Sequence, residues 1–200
     1  MDKGKAGEKQ GHAGAAARWM RDSTLPPNGL SHLPMDELVT PRLRIRRARP
    51  EDLAAMHAIL SDARAMRYWS SLPHANLEET RRFLDATITA PPGESDDYFL
   101  ERDGQVIGKA GCWRLPEIGY ILHPDHWGQG LAREALEAII PRVFARYPIP
   151  AITADVDPRN AASLALLARL GFAETGRAER TCQVGEAWCD SVYLALARPA

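Results

Sequence analysis

The sequence contains few cysteines and no paired cysteine motif. Its 200 residues hold three, and no two of them are spaced as C-x-x-C. An odd number without that spacing indicates neither a disulfide framework nor a zinc site. Cys182 and Cys189 flank a predicted turn at residues 185–186 and could face each other, but free thiols are the simpler interpretation. We therefore expect a reducing, cytoplasmic setting.

Long apolar runs and an excess of one charge are also missing. No stretch reaches the roughly 18 apolar residues of a membrane span, so no membrane partner is expected. The 25 basic and 26 acidic residues give a formal net charge of −1, which argues against nucleic acid as a partner. His123 and His126 are close in sequence, but Pro124 and Gly128 break the helical geometry that would align them. No metal is expected.

The chain is long enough for one domain with a sizeable core. Residues 1–38 mix Gly, Ala, Lys and Pro without an apolar period, which predicts a flexible leader of unassigned purpose. Residues 39–198 form the predicted domain. An oligomeric state does not follow from this pattern, and both a monomer and a homodimer fit it.

Alternating and apolar runs predict seven strands in the domain. Four helical segments are interspersed with them, with predicted caps at Asn76 and Asn160 and a kink at Pro141. Asp103-Gly104 predicts a two-residue hairpin turn, and Gly119 suggests a bulge or a close backbone approach. The fold class is α/β (α+β), a mixed, largely antiparallel seven-stranded sheet with helices on both faces. The predicted strands are residues 43–46, 98–102, 105–113, 118–122, 152–156, 172–180 and 188–197.

A glycine-rich turn at residues 127–132 leads from a strand into a helix. Gly128 and Gly130 would let the backbone approach a ligand closely, and the free N–H groups of the first helical turn would converge on it. That combination binds phosphates, although it fits neither the Rossmann spacing nor the P-loop pattern. Taken alone, a purely structural turn remains an equal alternative.

The neighbouring segments resemble one family. Residues 117–135 are similar to the cofactor segment of the GNAT N-acetyltransferase superfamily, and residues 157–172 to its next strand, capped helix and Gly-Phe return. Residues 40–43 and 176–193 are similar to the branch that acetylates N-termini of ribosomal proteins, the RimJ/RimL type. The resemblance covers nearly everything after the leader.

The resemblance implies acetyl-CoA as co-substrate. Main-chain groups would pair with its pantetheine arm, amides of residues 128–133 would hold the diphosphate, and residues 160 and 163 would lie beside the arm and the thioester sulfur. Trp127 departs from the family, where many members carry Gln or Arg. Leu167 stands where many members place a proton-donating Tyr, which leaves Ser163 as the substitute donor. The implied cofactor-binding residues are Ile121, Leu122, His123, Trp127, Gly128, Gln129, Gly130, Leu131, Ala132, Arg133, Asn160 and Ser163.

The implied reaction is direct transfer of acetyl to a primary amine, for which Glu117 is the candidate general base beside Ser163. A protein α-amino group has a pKa of about 8 against about 10.4 for Lys, so an N-terminal acceptor needs only a weak base. His123 and His126 are alternatives, and an ordinary strand-end carboxylate is the other interpretation of Glu117. Trp69 and Tyr68 are predicted to border the acceptor.

A protein N-terminal α-amine is the expected acceptor, with a backbone N–H near Leu122 polarising the acetyl carbonyl. The alternatives are a small amine (an antibiotic, an amino acid or a polyamine) and a non-catalytic acyl-CoA-binding module. The sequence does not separate them.

Overall fold

An eight-stranded sheet forms the framework of the protein in the computed structural model, which describes residues 37–199. Its strands are β1 (Glu37–Val39), β2 (Arg44–Arg46), β3 (Asp96–Arg102), β4 (Gln105–Arg114), β5 (Glu117–Leu122), β6 (Ala151–Val156), β7 (Ala173–Val184) and β8 (Ala187–Ala197). They lie in the order β1-β2-β3-β4-β5-β6-β8-β7. All neighbours are antiparallel except β5 and β6, which are parallel.

Four α-helices cover the two faces of this sheet. They are α1 (Leu53–Leu60), α2 (Leu77–Ile88), α3 (Leu131–Arg146) and α4 (Ala161–Arg169), with short 3-10 helices at Pro50–Asp52 and Pro124–His126. No helix of the described residues is long and apolar enough to cross a membrane. The predicted type of fold, a mixed and largely antiparallel sheet with helices on both faces, is confirmed.

The first strand is where the structure departs from the predicted count. The sheet has eight strands rather than seven, because β1 begins at Glu37 and buries Leu38 with 4% exposure. A three-residue strand shows too little alternation to be recognised in a sequence. The last two residues of the predicted leader therefore belong to the sheet, and the rest of it lies outside the described residues.

The local signals in the sequence correspond to real turns and caps. Asp103 and Gly104 have φ of 51° and 79°, which closes the β3–β4 hairpin in two residues. The side chain of Asn76 accepts a hydrogen bond from the N–H of Glu79 (3.1 Å) at the start of α2. Pro141 lies inside α3, which continues to Arg146 as predicted.

Side chains of the sheet alternate between two apolar cores. Ile118 and Leu122 of β5 pack toward α3 and α4, whereas Ile121 packs with Met56 of α1 and Leu84 of α2. Successive residues of a strand point to opposite faces, so one strand serves both cores. The two faces are called the α3–α4 side and the α1–α2 side below.

Strands β5 and β6 share one register pair and then diverge. Glu117 is opposite Thr153, and the N–H of Thr153 donates to the carbonyl of Pro116 (3.0 Å). Beyond that pair β6 continues along β8, and β5 continues along β4. A wedge-shaped gap therefore opens in the middle of the sheet.

Two glycines of β4 let its neighbours approach closely. A Cβ on Gly108 would lie 2.3 Å from the carbonyl oxygen of Ile121, and one on Gly111 would lie 2.4 Å from that of Asp96. At Gly119, where the sequence suggested such an approach, the nearest atom would be 3.4 Å away on the Trp113 side chain. The close contact is thus real but lies on β4.

A buried ion pair ties β2 to the turn before α1. The guanidinium of Arg46 donates to both carboxylate oxygens of Asp52 (2.8 and 2.9 Å) and to Glu101 on β3 (2.7 Å). Arg46 and Asp52 are both less than 7% exposed. The carboxylate of Asp52 also accepts from the N–H of Arg49 (2.7 Å).

Replacing Asp52 with Asn should lower the free energy of unfolding by about 3 kcal/mol, because one guanidinium is left buried with incomplete compensation. Urea denaturation followed by circular dichroism measures this change. Glu174→Gln, which breaks an exposed pair with Arg177, is the control and should leave the transition midpoint close to that of the wild type. An unchanged midpoint for Asp52→Asn would contradict the structural role assigned to this pair.

Candidate active site

The glycine turn (residues 127–130) joins the end of β5 to the start of α3. Gly128 and Gly130 have φ of 71° and 75°, in the left-handed region that favours glycine. Gly130 is the N-cap of α3 and offers no side chain to the first helical turn. The N–H groups at the helix start therefore remain available, which is the geometry of an anion site.

The glycine turn is held in place by hydrogen bonds from both sides. The indole N–H of Trp127 donates to the carbonyl of Leu122 (2.9 Å). The amide of Gln129 donates to the carbonyl of Asp125 (3.1 Å) and accepts from Arg102 (2.6 Å). Trp127, which departs from the family pattern, thus fixes the entry of the turn with its side chain.

Arg42, on the turn between β1 and β2, reaches the same place. Its guanidinium donates to the carbonyl of Gln129 (2.8 Å) and to the carboxylate of Glu134 (2.6 Å), and Thr40 also donates to Glu134 (2.6 Å). Burial raises the pKa of Glu134, but the hydrogen bonds from Thr40 and Arg42 outweigh burial and lower it. A Cβ on Gly130 would lie 3.6 Å from the Arg42 guanidinium.

Two arginines therefore flank the glycine turn, and neither is recognisable from the sequence alone as part of this site. Arg42 was part of a segment that matched the family, but its contact spans 87 residues of chain. Arg102 lies at the end of β3, and its position beside Gln129 depends on the β3–β4–β5 pairing. Opposite charge at an anion site strengthens binding through charge-assisted hydrogen bonds.

The main-chain groups of β5 face two directions. The N–H of His123 donates to the carbonyl of Ile107 (2.8 Å), so by the alternation of antiparallel strands Ile121 also turns toward β4. Tyr120 and Leu122 turn away from β4, toward the gap. Of the three residues predicted to pair with a pantetheine arm, Leu122 is the one whose main-chain groups face the gap, whereas Ile121 and the N–H of His123 face β4.

A cleft of about 760 Å³ passes through the gap between β5 and β6. The cleft residues identified from sequence are Tyr68, Trp69, Glu117, Asn160 and Ser163, and they come together there. Residues 121–123 and 127–133 are not part of its lining. The cleft and the glycine turn are thus neighbouring parts of one site, joined by β5.

Two loops meet above the cleft on the α1–α2 side. The side chain of Leu72, between α1 and α2, lies 3.4 Å from where a Cβ on Gly185 would be. Gly185 is in the β7–β8 turn, and Cys182 and Cys189 face each other across that hairpin as free thiols, as expected. Trp69 lines the cleft, and its ring centroid lies 6.0 Å from the ammonium of Lys109, which pairs with Asp97.

Carboxylates line the cleft on the α1–α2 side. Glu117 accepts hydrogen bonds from the indole of Trp113 (3.2 Å) and from Arg114 (3.3 Å). Asp155 lies on β6, and burial raises its pKa, an effect that a hydrogen bond from Ser191 opposes and the charge of Glu117 reinforces. Asp155 does not stand out in the sequence, because its place two residues beyond Thr153, the register partner of Glu117, depends on the parallel β5–β6 pairing.

A different set of groups lines the cleft on the α3–α4 side. The side chain of Asn160 caps α4 by accepting from the N–H of Ser163 (3.2 Å). Leu167 is fully buried and has no group to donate. The hydroxyl of Tyr120 is buried and completes no hydrogen bond among the described residues, and this burial raises its pKa to about 12.

The histidines considered as alternative bases lie away from the cleft. The ring centroids of His123 and His126 are 6.3 Å apart, and neither ring lines the cleft. Burial lowers the pKa of His126, and the charge of His123 adds to this effect. No cluster of three metal-binding side chains occurs within residues 37–199.

Comparisons with known proteins give relatives along most of the chain. An uncharacterised N-acetyltransferase, p20 of Bacillus licheniformis, is 30% identical over 152 residues, which is 71% of this chain and 85% of that protein. Spermidine N(1)-acetyltransferase of Escherichia coli is 28% identical over 144 residues, 67% of this chain and 74% of that enzyme.

Solved structures share the fold. RimL, a ribosomal L7/L12 alpha-N-protein acetyltransferase in complex with coenzyme A, superposes with a TM-score of 0.73 at 22% identity, over 82% of this chain and 98% of that one. The family model described as an acetyltransferase (GNAT) domain matches residues 42–173, more than half of the chain. The chain therefore belongs to the GNAT acetyltransferase family.

Proposed function

We propose that this acetyltransferase uses acetyl-CoA and transfers the acetyl group directly to an α-amino group, such as a protein N-terminus. The observation that carries the proposal is the gap between β5 and β6. It connects a cleft lined by carboxylates with an edge of β5 that runs into the glycine turn. Both reactants of an acyl transfer would meet at that gap.

The glycine turn and its arginines support the cofactor part of the proposal. Amides at the start of α3, from Gly128 to Arg133, would hold the diphosphate, and the guanidinium groups of Arg42 and Arg102 would offset its negative charge. When bound, acetyl-CoA supplies the thioester that reacts. These residues would position the cofactor and compensate the negative charge of its diphosphate.

The pantetheine arm would pair with the free edge of β5, in the way that an added strand pairs with the edge of a sheet. Leu122 and Tyr120 turn their main-chain groups toward the gap, and Leu122 still has its N–H to offer because Trp127 occupies only its carbonyl. That N–H would polarise the acetyl carbonyl, as donors do in an oxyanion hole.

The α3–α4 side of the cleft would receive the leaving sulfur. A thiol has a pKa of about 8.5, so its thiolate needs little assistance near neutral pH. The unpartnered hydroxyl of Tyr120 and the hydroxyl of Ser163 would donate hydrogen bonds to it. Tyr120 thereby fills the role for which Leu167 has no suitable group.

Weak bases in the cleft favour an α-amine over a lysine side chain. The groups on the α1–α2 side that could take a proton include the carboxylates of Glu117 and Asp155 and the imidazole of His74, whose pKa is lowered by burial. An α-amine is about 2 pKa units easier to deprotonate than Lys.

A polyamine is the second candidate acceptor. Asp155 and Asp190 line the cleft, and neither forms an ion pair with a cation among the described residues. An uncompensated negative cleft attracts molecules with several positive charges. The relative that acts on spermidine supports the same possibility.

Arg42→Ala should weaken acetyl-CoA binding about tenfold, because it removes a charge-assisted hydrogen bond at the glycine turn. Isothermal titration calorimetry measures the dissociation constant. Arg44→Ala is the matched control, since Arg44 pairs with Glu37 on the adjacent strand and lies outside the site. Equal affinities of Arg42→Ala and the wild type would remove Arg42 from the cofactor site.

The acceptor is tested by following CoA release with a panel of amines at pH 7.5. Peptides with a free N-terminus should be acetylated, whereas the same peptides with a blocked N-terminus and an internal Lys should not, because the cleft holds only weak bases. Spermidine is the third member of the panel. If spermidine is the only compound of the panel that is acetylated, a polyamine replaces the α-amine as the proposed acceptor.

Tyr120→Phe should lower kcat about tenfold and leave the KM for acetyl-CoA nearly unchanged, since its hydroxyl is proposed to act on the developing thiolate. Steady-state kinetics with a saturating acceptor separates the two constants. Phe retains the ring that packs against the α3–α4 core. An unchanged kcat would show that the hydroxyl takes no part in transfer.

A further inference from the structure

A second, smaller cavity adjoins the cleft at the end of the sheet where β3 begins. Its volume is about 280 Å³, and its other walls come from the end of β2, the loop before β3 and the end of α3. It shares four lining residues with the cleft, namely Thr87, Ala90, Ser95 and Asp97. The second cavity therefore continues the cleft beyond the residues that would surround the reacting amine.

The charged lining of this cavity is mostly basic. The side chains of Arg47 and Arg146 line it, and the cavity is called the arginine pocket below. Asp97 is the carboxylate that the structure places in the same lining, and it pairs with the ammonium of Lys109. Both partners of that pair are less than 7% exposed, so the charge of Asp97 is already compensated. A group that enters the arginine pocket would meet guanidinium groups.

Arg146 keeps hydrogen-bond donors for such a group. Oδ1 of Asp96 accepts from Arg47 (2.6 Å) and from the hydroxyl of Tyr98 (2.8 Å), and Arg146 reaches the same oxygen only at 3.4 Å. Asp96 is fully buried and is not part of the lining of either cavity. A guanidinium has five N–H donors, and the long contact with Asp96 uses one of them. The Arg146 side chain is 33% exposed, so its remaining donors are accessible.

The strand order gives the distance between the arginine pocket and the gap. Asp97 is opposite Gly111 on β4, and Gly111 is opposite Gly119 on β5, so two strand spacings separate Asp97 from β5. Strand β2, which ends just before Arg47, adds a third spacing. At about 4.8 Å per spacing, the arginine pocket lies roughly 10–14 Å from β5. An extended chain advances about 3.4 Å per residue, so three or four residues span this distance.

We propose that the arginine pocket binds a carboxylate of the acceptor, on a side chain three or four residues away from the reacting α-amine. The proposal rests on the proposed function and narrows its acceptor to N-termini with an acidic residue at the fourth or fifth position. The α-amine would meet the carboxylates of the cleft, and the acidic side chain would meet Arg146. A polyamine would instead bring a second ammonium toward the guanidinium groups, which repel it.

The test uses peptides with a free N-terminus that carry a single Glu at one of positions two to six, each compared with its Gln counterpart. CoA release gives kcat and KM. Glu at position four or five should raise kcat/KM about fivefold over Gln, through a charge-assisted hydrogen bond. The gain should appear in KM, because a contact far from the reacting atoms does not change in the chemical step. It should shrink at high salt, and Glu at position two should give little gain.

Variants of α3 separate a specific contact from the general charge of the protein. Arg146→Gln should bring the Glu/Gln ratio of kcat/KM close to one, and Arg146→Glu should favour peptides with Lys at the same position. Arg142→Gln is the matched control, since it removes the same charge one turn earlier on the helix. The guanidinium of Arg142 donates to the hydroxyl of Tyr98 (2.8 Å) and lines neither cavity, so this variant should keep the preference for Glu.

Three results would overturn the arginine pocket and leave the α-amine acceptor intact. They are a Glu/Gln ratio near one at every position in the wild type, a wild-type ratio in Arg146→Gln, and an equal loss of the ratio in Arg142→Gln and Arg146→Gln. Acetylation of spermidine without acetylation of any peptide would refute the α-amine acceptor, and the arginine pocket with it.

Discussion

Pairing between β5 and β6 ends after one register pair, and the rest of the site depends on this. A continuous pairing would satisfy the main-chain groups of Tyr120 and Leu122 and close the cleft. Because the strands diverge, those groups remain free to bind a ligand, and the gap joins the two sides of the sheet by one cleft. The core tolerates the opening because β6 is fully paired with β8 and β5 with β4.

The charges of the site are separated along β5. Arg42 and Arg102 lie at the glycine turn, beyond its carboxyl end, whereas Glu117 lies at its amino end beside Asp155. An anion is attracted to one end and an ammonium to the other, and each is repelled where the other belongs. With both reactants bound as proposed, the strand would fix the relative orientation of an anionic cofactor and a cationic amine.

Features determined by neighbouring residues could be predicted from the sequence, and those determined by strand order could not. The hairpin at Asp103-Gly104, the Asn76 cap and the glycine turn each follow from a few adjacent residues. The short strand β1, the carboxylate of Asp155 and the hydroxyl of Tyr120 acquire their neighbours only when distant strands pair. His123 shows the limit clearly, because its place in the turn was apparent but the direction of its N–H depends on β4.

The side chain of Leu72 and the turn at Gly185 lie in two connecting segments rather than in the core. Leu72 is 59% exposed, and the residues around it contribute little to the buried apolar interior. Substitutions at this point would reshape the entrance while the sheet, the glycine turn and its arginines stay as they are. The width of the entrance is therefore set by side chains that contribute little to the folding of the sheet.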